Sequence, residues 1–217
     1  MGLEIGGRSR GTVVADCTVE KEVSLDYDVV AAVSSTLESV VTSGLSTLDP
    51  TSPPVGEQHN LMGSVATSPA RVTLFLYEVV EDPSARNRPH VQQMAPPDIV
   101  VRKPPMALLL RYMMTPWAGR LDTEYLMLAR VMQTFYDKSI ISGTDLAGSL
   151  QNTNEALKVS LAPITLEDRT RVWMSVQKPY RVSLTYEVRV VNLDALGAET
   201  VKAVGRRSVS ASRPEDA

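Results

Sequence analysis

The sequence predicts an α+β fold: a single domain with a mixed or largely antiparallel sheet, helices packed mainly on one face, and an N-terminal arm. Three observations predict it. Residues 181–191 alternate with period two, with Val182, Leu184, Tyr186, Val188 and Val190 on one side and Ser183, Thr185, Glu187 and Arg189 on the other, as a half-covered strand requires. Residues 71–80 are apolar on both sides, Val72, Leu74 and Leu76 against Phe75, Tyr77 and Val79, as in a central strand. Residues 122–138 instead repeat at helical spacing. Such strands and helices follow no regular strand–helix rhythm, which favours α+β over a parallel α/β sheet.

Taken in order, residues 1–11 are rich in Gly and Arg, and from Thr12 the residues Val13, Ala15, Cys17, Val19 and Val23 alternate with polar ones. That spacing predicts a strand. Residues 24–48 read as a helix with Asp26 as N-cap, an apolar stripe of Val30, Val33, Leu37, Val40, Val41, Leu45 and Leu48, and a wet side that includes Ser34, Ser35 and Glu38. Its many β-branched residues lower helix propensity, so packing must hold it. Asp49-Pro50 ends it, and a long loop with Pro53, Pro54, Gly56, Gly63 and Pro69 follows. After the strand at 71–80, residues 81–97 carry Pro83, Pro89, Pro96 and Pro97 and read as a second irregular stretch. Connections as long as 49–70 and 81–97 exceed the usual length and are candidates for contact with partners.

Residues 98–102 form a short strand and 106–114 a longer one, which Pro116 is expected to halt. Asp122 caps the helix that runs to about Lys138, with Leu121, Tyr125, Leu128, Met132 and Phe135 as its buried stripe. Leu157, Val159 and Leu161 suggest a strand. Thr165 then caps a short helix, with Asp168 three residues on completing the cap. An edge strand near 200–204 closes the domain. The organisation is therefore an arm at 1–25, a folded domain at 26–204 and a polar tail at 205–217, with core candidates Leu74, Leu76, Leu109, Leu128, Trp173, Leu184 and Tyr186.

Composition narrows the function. The 217 residues are 43% hydrophobic and 22% charged, ordinary for a folded chain with one core. A net charge of −3 argues against nucleic acid as a partner, because phosphate binding needs a cationic field. A single cysteine and an N-terminus without the apolar stretch of a signal peptide point to folding in the cytoplasm. No run is apolar for long enough to insert in a membrane.

No catalytic constellation stands out, and the sequence predicts neither enzyme nor cofactor nor metal. His59 and His90 sit in Pro-rich loops without a His, Cys or acid at ligand spacing. Cys17 lies on the apolar side of its strand with no base nearby. Glu167 and Asp168 occupy the first turn of a helix, where its dipole explains them. Trp173 reads as core, Trp117 as core or interface, and the methionines as core fillers or adaptable contact surface. The arginines 71, 86, 88, 102, 111 and 120 gather near strand ends and loops, where intersubunit ion pairs would give register. Tyr77, Arg86, Asn87, Arg88, Trp117 and Arg120 are the candidate interface residues.

Four segments carry a family resemblance: RVTLFLYEVVEDPSARN at 71–87, PPMALLLRYMMTPWA at 104–118, the helix of 125–146 with its SGTDL, and ITLEDRTRVWMSVQKPYRVSLTYEVRVV at 164–191. In this order, Leu76-Tyr77, Arg86-Asn87, Thr115-Pro116, Trp173 and the 179–188 strand resemble the cap, or tail-terminator, family of contractile injection systems. The resemblance covers roughly residues 26–193. It implies a non-enzymatic ring, usually a homohexamer, that closes the baseplate-distal end of inner tube and sheath and stops their polymerisation. Two departures stand out: residues 1–25 precede the first helix, and some relatives carry a further C-terminal domain. The arm is expected to pair with a neighbour's sheet edge. Alternatives are another ring or adaptor of the particle, at its neck or baseplate, a standalone protein-binding adaptor, and an enzyme with a shallow hydrolytic site.

Overall fold

The doubly apolar run and the cleanly alternating one lie on either side of the central strand of the sheet. In the computed structural model, residues 27–95, 98–193 and 198–202 are described. In chain order the elements are α1 (Val29–Leu45), β1 (Val55–Gln58), β2 (Arg71–Glu81), β3 (Val91–Ala95), β4 (Asp98–Arg102), β5 (Met106–Trp117), α2 (Leu121–Asp137), β6 (Ile140–Ser142), β7 (Ala156–Leu161), α3 (Leu166–Ser175), β8 (Leu184–Leu193) and β9 (Ala198–Lys202). The main sheet runs β1-β2-β5-β8-β7-β6. Only β1 pairs in parallel, with β2; the other neighbours are antiparallel, so the sheet is mixed.

Side chains of β5 divide the molecule. Leu108, Leu110, Tyr112 and Met114 join the core under α1 and α2, with Val33, Leu37 and Val41 from α1 and Met127, Val131 and Phe135 from α2. Met113 points the other way, into a smaller core with Leu61 and Trp173 beneath α3. Two helices therefore cover one face, and the shortest helix covers part of the other.

β3, β4 and β9 form a second, three-stranded sheet in that order. The connectivity explains it: β3 follows β2, β4 precedes β5 and β9 follows β8, so the order repeats that of the three central strands. In the middle, Ile99 of β4 pairs with Met94 on one side and Val201 on the other.

α1 and α2 meet where a side chain is missing. A Cβ on Gly44 would lie 2.3 Å from Thr134 Oγ1, and Arg130 Nε donates to the Gly44 carbonyl at 2.9 Å. α3 begins as its sequence predicts: the Thr165 hydroxyl oxygen accepts from the Asp168 amide at 3.1 Å.

Several expectations need correction. The stripe of α2 is rotated: Glu124, Met127, Leu128, Val131 and Phe135 are buried, whereas Leu121, Tyr125 and Met132 are exposed. Asp122 lies inside the first turn rather than at the cap, which is Arg120. Ser34, expected on the wet side of α1, is buried. The stretch 49–70 contains β1, and 81–97 contains β3. Pro116 does not halt β5: it pairs with Val72 of β2 beyond the end of β8 pairing, where no amide is required on the far side. The alternating strand, expected over 181–191, starts only at Leu184, and its polar side is not wet there: Ser183, which accepts from the Trp173 indole, and Thr185 are buried, and Val182 is exposed instead. The strand at 12–23, Cys17, the Asp26 cap and the tail at 205–217 lie outside the described residues.

Candidate assembly interface

The six candidate interface residues fall into three places. Tyr77 and Trp117 belong to one apolar cluster on the α3 side of the sheet. Tyr77 sits at an irregularity of register, where Leu76 opposes Tyr112 and Glu78 opposes Arg111, so it has no partner opposite on β5. Burial raises its phenol pKa and the nearby Arg111 guanidinium opposes the rise. Trp117 donates its indole N–H to Thr73 Oγ1 at 2.9 Å, and the Arg181 guanidinium stands 4.4 Å over its ring. Lys178 approaches the same ring at 5.6 Å and donates to the Gly63 carbonyl. Trp117 is thus half-buried between the sheet and two cations, each such contact worth about 0.5–1 kcal/mol when partly exposed.

Arg86, Asn87 and Arg88 form the exposed tip of the loop between β2 and β3. Asp82 anchors that loop. Its amide donates to the Ala107 carbonyl at 2.8 Å, while one carboxylate oxygen accepts from the Ser84 amide and hydroxyl at 2.9 and 2.7 Å. The Ser84 hydroxyl first, and then its amide, holds the Asp82 carboxyl below the usual range; burial opposes this, and Arg189 and Arg88 assist. Arg86 pairs with Glu81 at 3.0 Å. Arg120 lies elsewhere, at the start of α2, bound twice to Asp122 at 3.0 and 2.6 Å. That bond holds the Asp122 carboxyl at about 2.

Below the Trp173 core, the α3 side of the sheet is charged. Arg111 is flanked across the strands by Glu78 at 2.6 Å and Glu187 at 3.0 Å, in direct register. The hydrogen bond from Arg111 to Glu78 contributes most to the raised arginine pKa. No local pattern in the sequence connects Glu78 with Glu187; the strand register does, by placing Arg111 between them.

A groove of about 500 Å³ at the α1–β2 edge brings together Ser34, His59 and Tyr112. Within it Ser34 and Tyr112 share a 2.7 Å hydrogen bond, and His59 Nδ1 accepts from the Leu61 amide at 2.8 Å. Burial pushes the Tyr112 hydroxyl up to about 12, the reverse of an activated nucleophile. Among the described residues no group of three or more His, Cys, Asp or Glu could hold a metal ion, and no helix is long and apolar enough to cross a membrane.

Further exposed apolar residues lie outside the six candidates. Tyr136, Tyr180, Ile140, Leu166 and Met174 are all well exposed. Tyr136 follows Met132 and Tyr125 at helical spacing and continues their line on the exposed side of α2.

Residues 29–206 match the family described as the Pvc16 N-terminal domain. No curated protein matches the sequence. Among solved structures the chain is similar to the sheath/tube terminator, in its extended state, of PVC, an extracellular contractile injection system. The TM-score is 0.55 and the identity 15%, over 87% of this chain and 64% of that one. It is also similar to the tube-terminating cap of the anti-feeding prophage, with a TM-score of 0.49 and 18% identity, over 85% of this chain and 60% of that one. The chain therefore spans less than two thirds of either structure's length, and at 15% identity the likeness to the sheath/tube terminator shows the fold alone.

Proposed function

The chain belongs to the Pvc16 N-terminal domain family, and from this we propose that it is a structural cap that closes the baseplate-distal end of the tube and sheath of a contractile injection system. The observation that carries the reading is the family match over residues 29–206, which takes in every described element from α1 to β9. The fold shared with a sheath/tube terminator supports it. In this reading residues 26–204 are the terminator domain.

The mechanism needs no chemistry. Copies of the chain form a closed ring, a homohexamer, whose interfaces satisfy one another around an axis. One surface of the ring matches the last tube and sheath subunits and the other offers no site for the next layer, so elongation stops. The exposed loop tip at Arg86, Asn87 and Arg88, anchored by Asp82, is suited to such a contact because it projects from a rigid sheet. Arg120 offers a second polar contact at the start of α2, and Tyr77 and Trp117 a partly buried apolar one beside the Trp173 core. Tube and sheath subunits are the partners. Nucleic acid, a cofactor and insertion in a membrane have no place in this mechanism, and the cap assembles in the cytoplasm as part of the particle.

Electron microscopy of particles from cells lacking the chain tests the proposal. Absent particles, or open-ended tubes and sheaths of uncontrolled length, are expected. Particles with normal lengths and closed ends would overturn it.

A further inference from the structure

α2 carries two apolar stripes, not one. The first, with Met127, Val131 and Phe135, fills the core. The second runs beside it through Leu121, Tyr125, Met132 and Tyr136, which are 60, 53, 44 and 87% exposed. The spacing of four, seven and four residues keeps these side chains on one line along the helix. Two of them continue into a groove of about 220 Å³ shared with Tyr180 and Val182. At roughly 200 Å² for each large side chain, the four helix residues alone present on the order of 500 Å², within the range of the largest patch on a typical monomer. Tyr180 and Val182, 40 and 51% exposed, add on the same scale roughly 200 Å², short of the ~800 Å² that one side of a standard protein interface buries but of the same order.

Exposed apolar side chains also lie on the opposite side of the sheet, where Lys178, just past α3, donates to the carbonyl of Gly63, the chain neighbour of Met62. Met62 and Met174 are chain neighbours of Leu61 and Trp173, two members of the small core there, and both are about two-thirds exposed. Leu166 sits two turns before Met174 on the same helix and is exposed as well. Unbranched methionines adapt to the shape of a partner.

Two different apolar surfaces on opposite faces of one chain suit a head-to-tail contact, in which each copy uses both. A two-fold dimer would bury one surface against itself and leave the other exposed. Resting on the ring reading above, we propose that the outer stripe of α2 of one copy packs against the Met62–Met174 surface of the next, and that this contact closes the ring.

The test uses the full chain with Cys17→Ser, adding Tyr136→Cys and Met174→Cys singly and together, and a short bismaleimide cross-linker. The mass of the unmodified assembly is measured separately. A ladder of covalent oligomers from the double variant, with no dimer from either single variant, is the expected result. A covalent dimer from Tyr136→Cys alone would mean a two-fold contact and overturn the proposal. An unmodified chain with the mass of a ring but no ladder would overturn this assignment and leave the cap reading standing. A chain that stays monomeric both in solution and at particle ends would overturn both. As a second measurement, Tyr136→Lys is expected to keep its melting temperature, because the residue is exposed, and to weaken association at least tenfold. Unchanged association would count against the proposal.

Discussion

The hydroxyl oxygens of Ser34 and Tyr112 lie 2.7 Å apart inside the core, joining α1 to the central strand across 78 residues of chain. Ser34 also donates to the Val30 carbonyl at 2.9 Å, so of its two partners only Tyr112 lies outside its own helix.

This relationship makes the two deletions unequal. Ser34→Ala leaves the Tyr112 hydroxyl buried without a partner, at a cost of about 1–3 kcal/mol. Tyr112→Phe removes the hydroxyl itself and leaves Ser34 its bond to Val30, for a smaller loss of about 0.5–1.5 kcal/mol. Urea unfolding of both variants and of the double variant checks the order. Equal losses would show that water replaces the serine.

Gly44 tests the crossing of the two helices. Alanine there would gain up to about 1 kcal/mol of helix propensity. Its Cβ would, however, meet Thr134 at a distance no real contact adopts. Overpacking of this kind costs about 1–3 kcal/mol, so Gly44→Ala is expected to destabilise. Adding Thr134→Ala should recover much of the loss, because the two nearest atoms disappear. Thermal melts of the four chains of this cycle supply the measurement, and additive effects would sink the idea.

Trp173 is 1% exposed and is the largest side chain of the core beneath α3. Trp173→Ala should cost about 3–5 kcal/mol. The loss should appear as a lower unfolding midpoint; an unchanged midpoint would mean that α3 does not stabilise the sheet.

How far the sequence could be read follows from such residues. Trp173, Tyr186 and the Thr165 cap were legible because each depends on neighbours close in the chain or on bulk alone. The stripe of α2 was not. Periodicity gives the angle between apolar residues, and here two adjacent stripes share it; the sheet decides which turns inward. Glu124 is buried because Arg181, 57 residues away, binds it at 2.5 Å, and no local pattern encodes that pair. β1 reads as loop because Pro53 and Pro54 precede it and Gly56 lies within it. Yet Gly56 is there because a Cβ would lie 2.9 Å from the Glu38 carbonyl oxygen, where α1 crosses the strand. For the proposed assembly surface, exposure of Arg86 and Arg120 follows from their setting, whereas the outer stripe of α2 is recognisable only once the inner one is known.

Alkaline pH gives the last test. Burial pushes Tyr112 and Tyr186 up to about 12, against about 10 for an unfolded tyrosine. A group whose folded pKa is raised contributes stability that is fully present below the unfolded pKa and is lost as pH rises through the folded one. Stability should therefore fall between about pH 10 and pH 12. Tyr112→Phe removes one such group, so its stability should fall less steeply across that window, even though it starts lower at neutral pH. Urea midpoints measured against pH for both chains would show the curves converging. Parallel curves would mean that Tyr112 ionises in the folded chain as readily as in the unfolded one, and that its burial is not what the geometry implies.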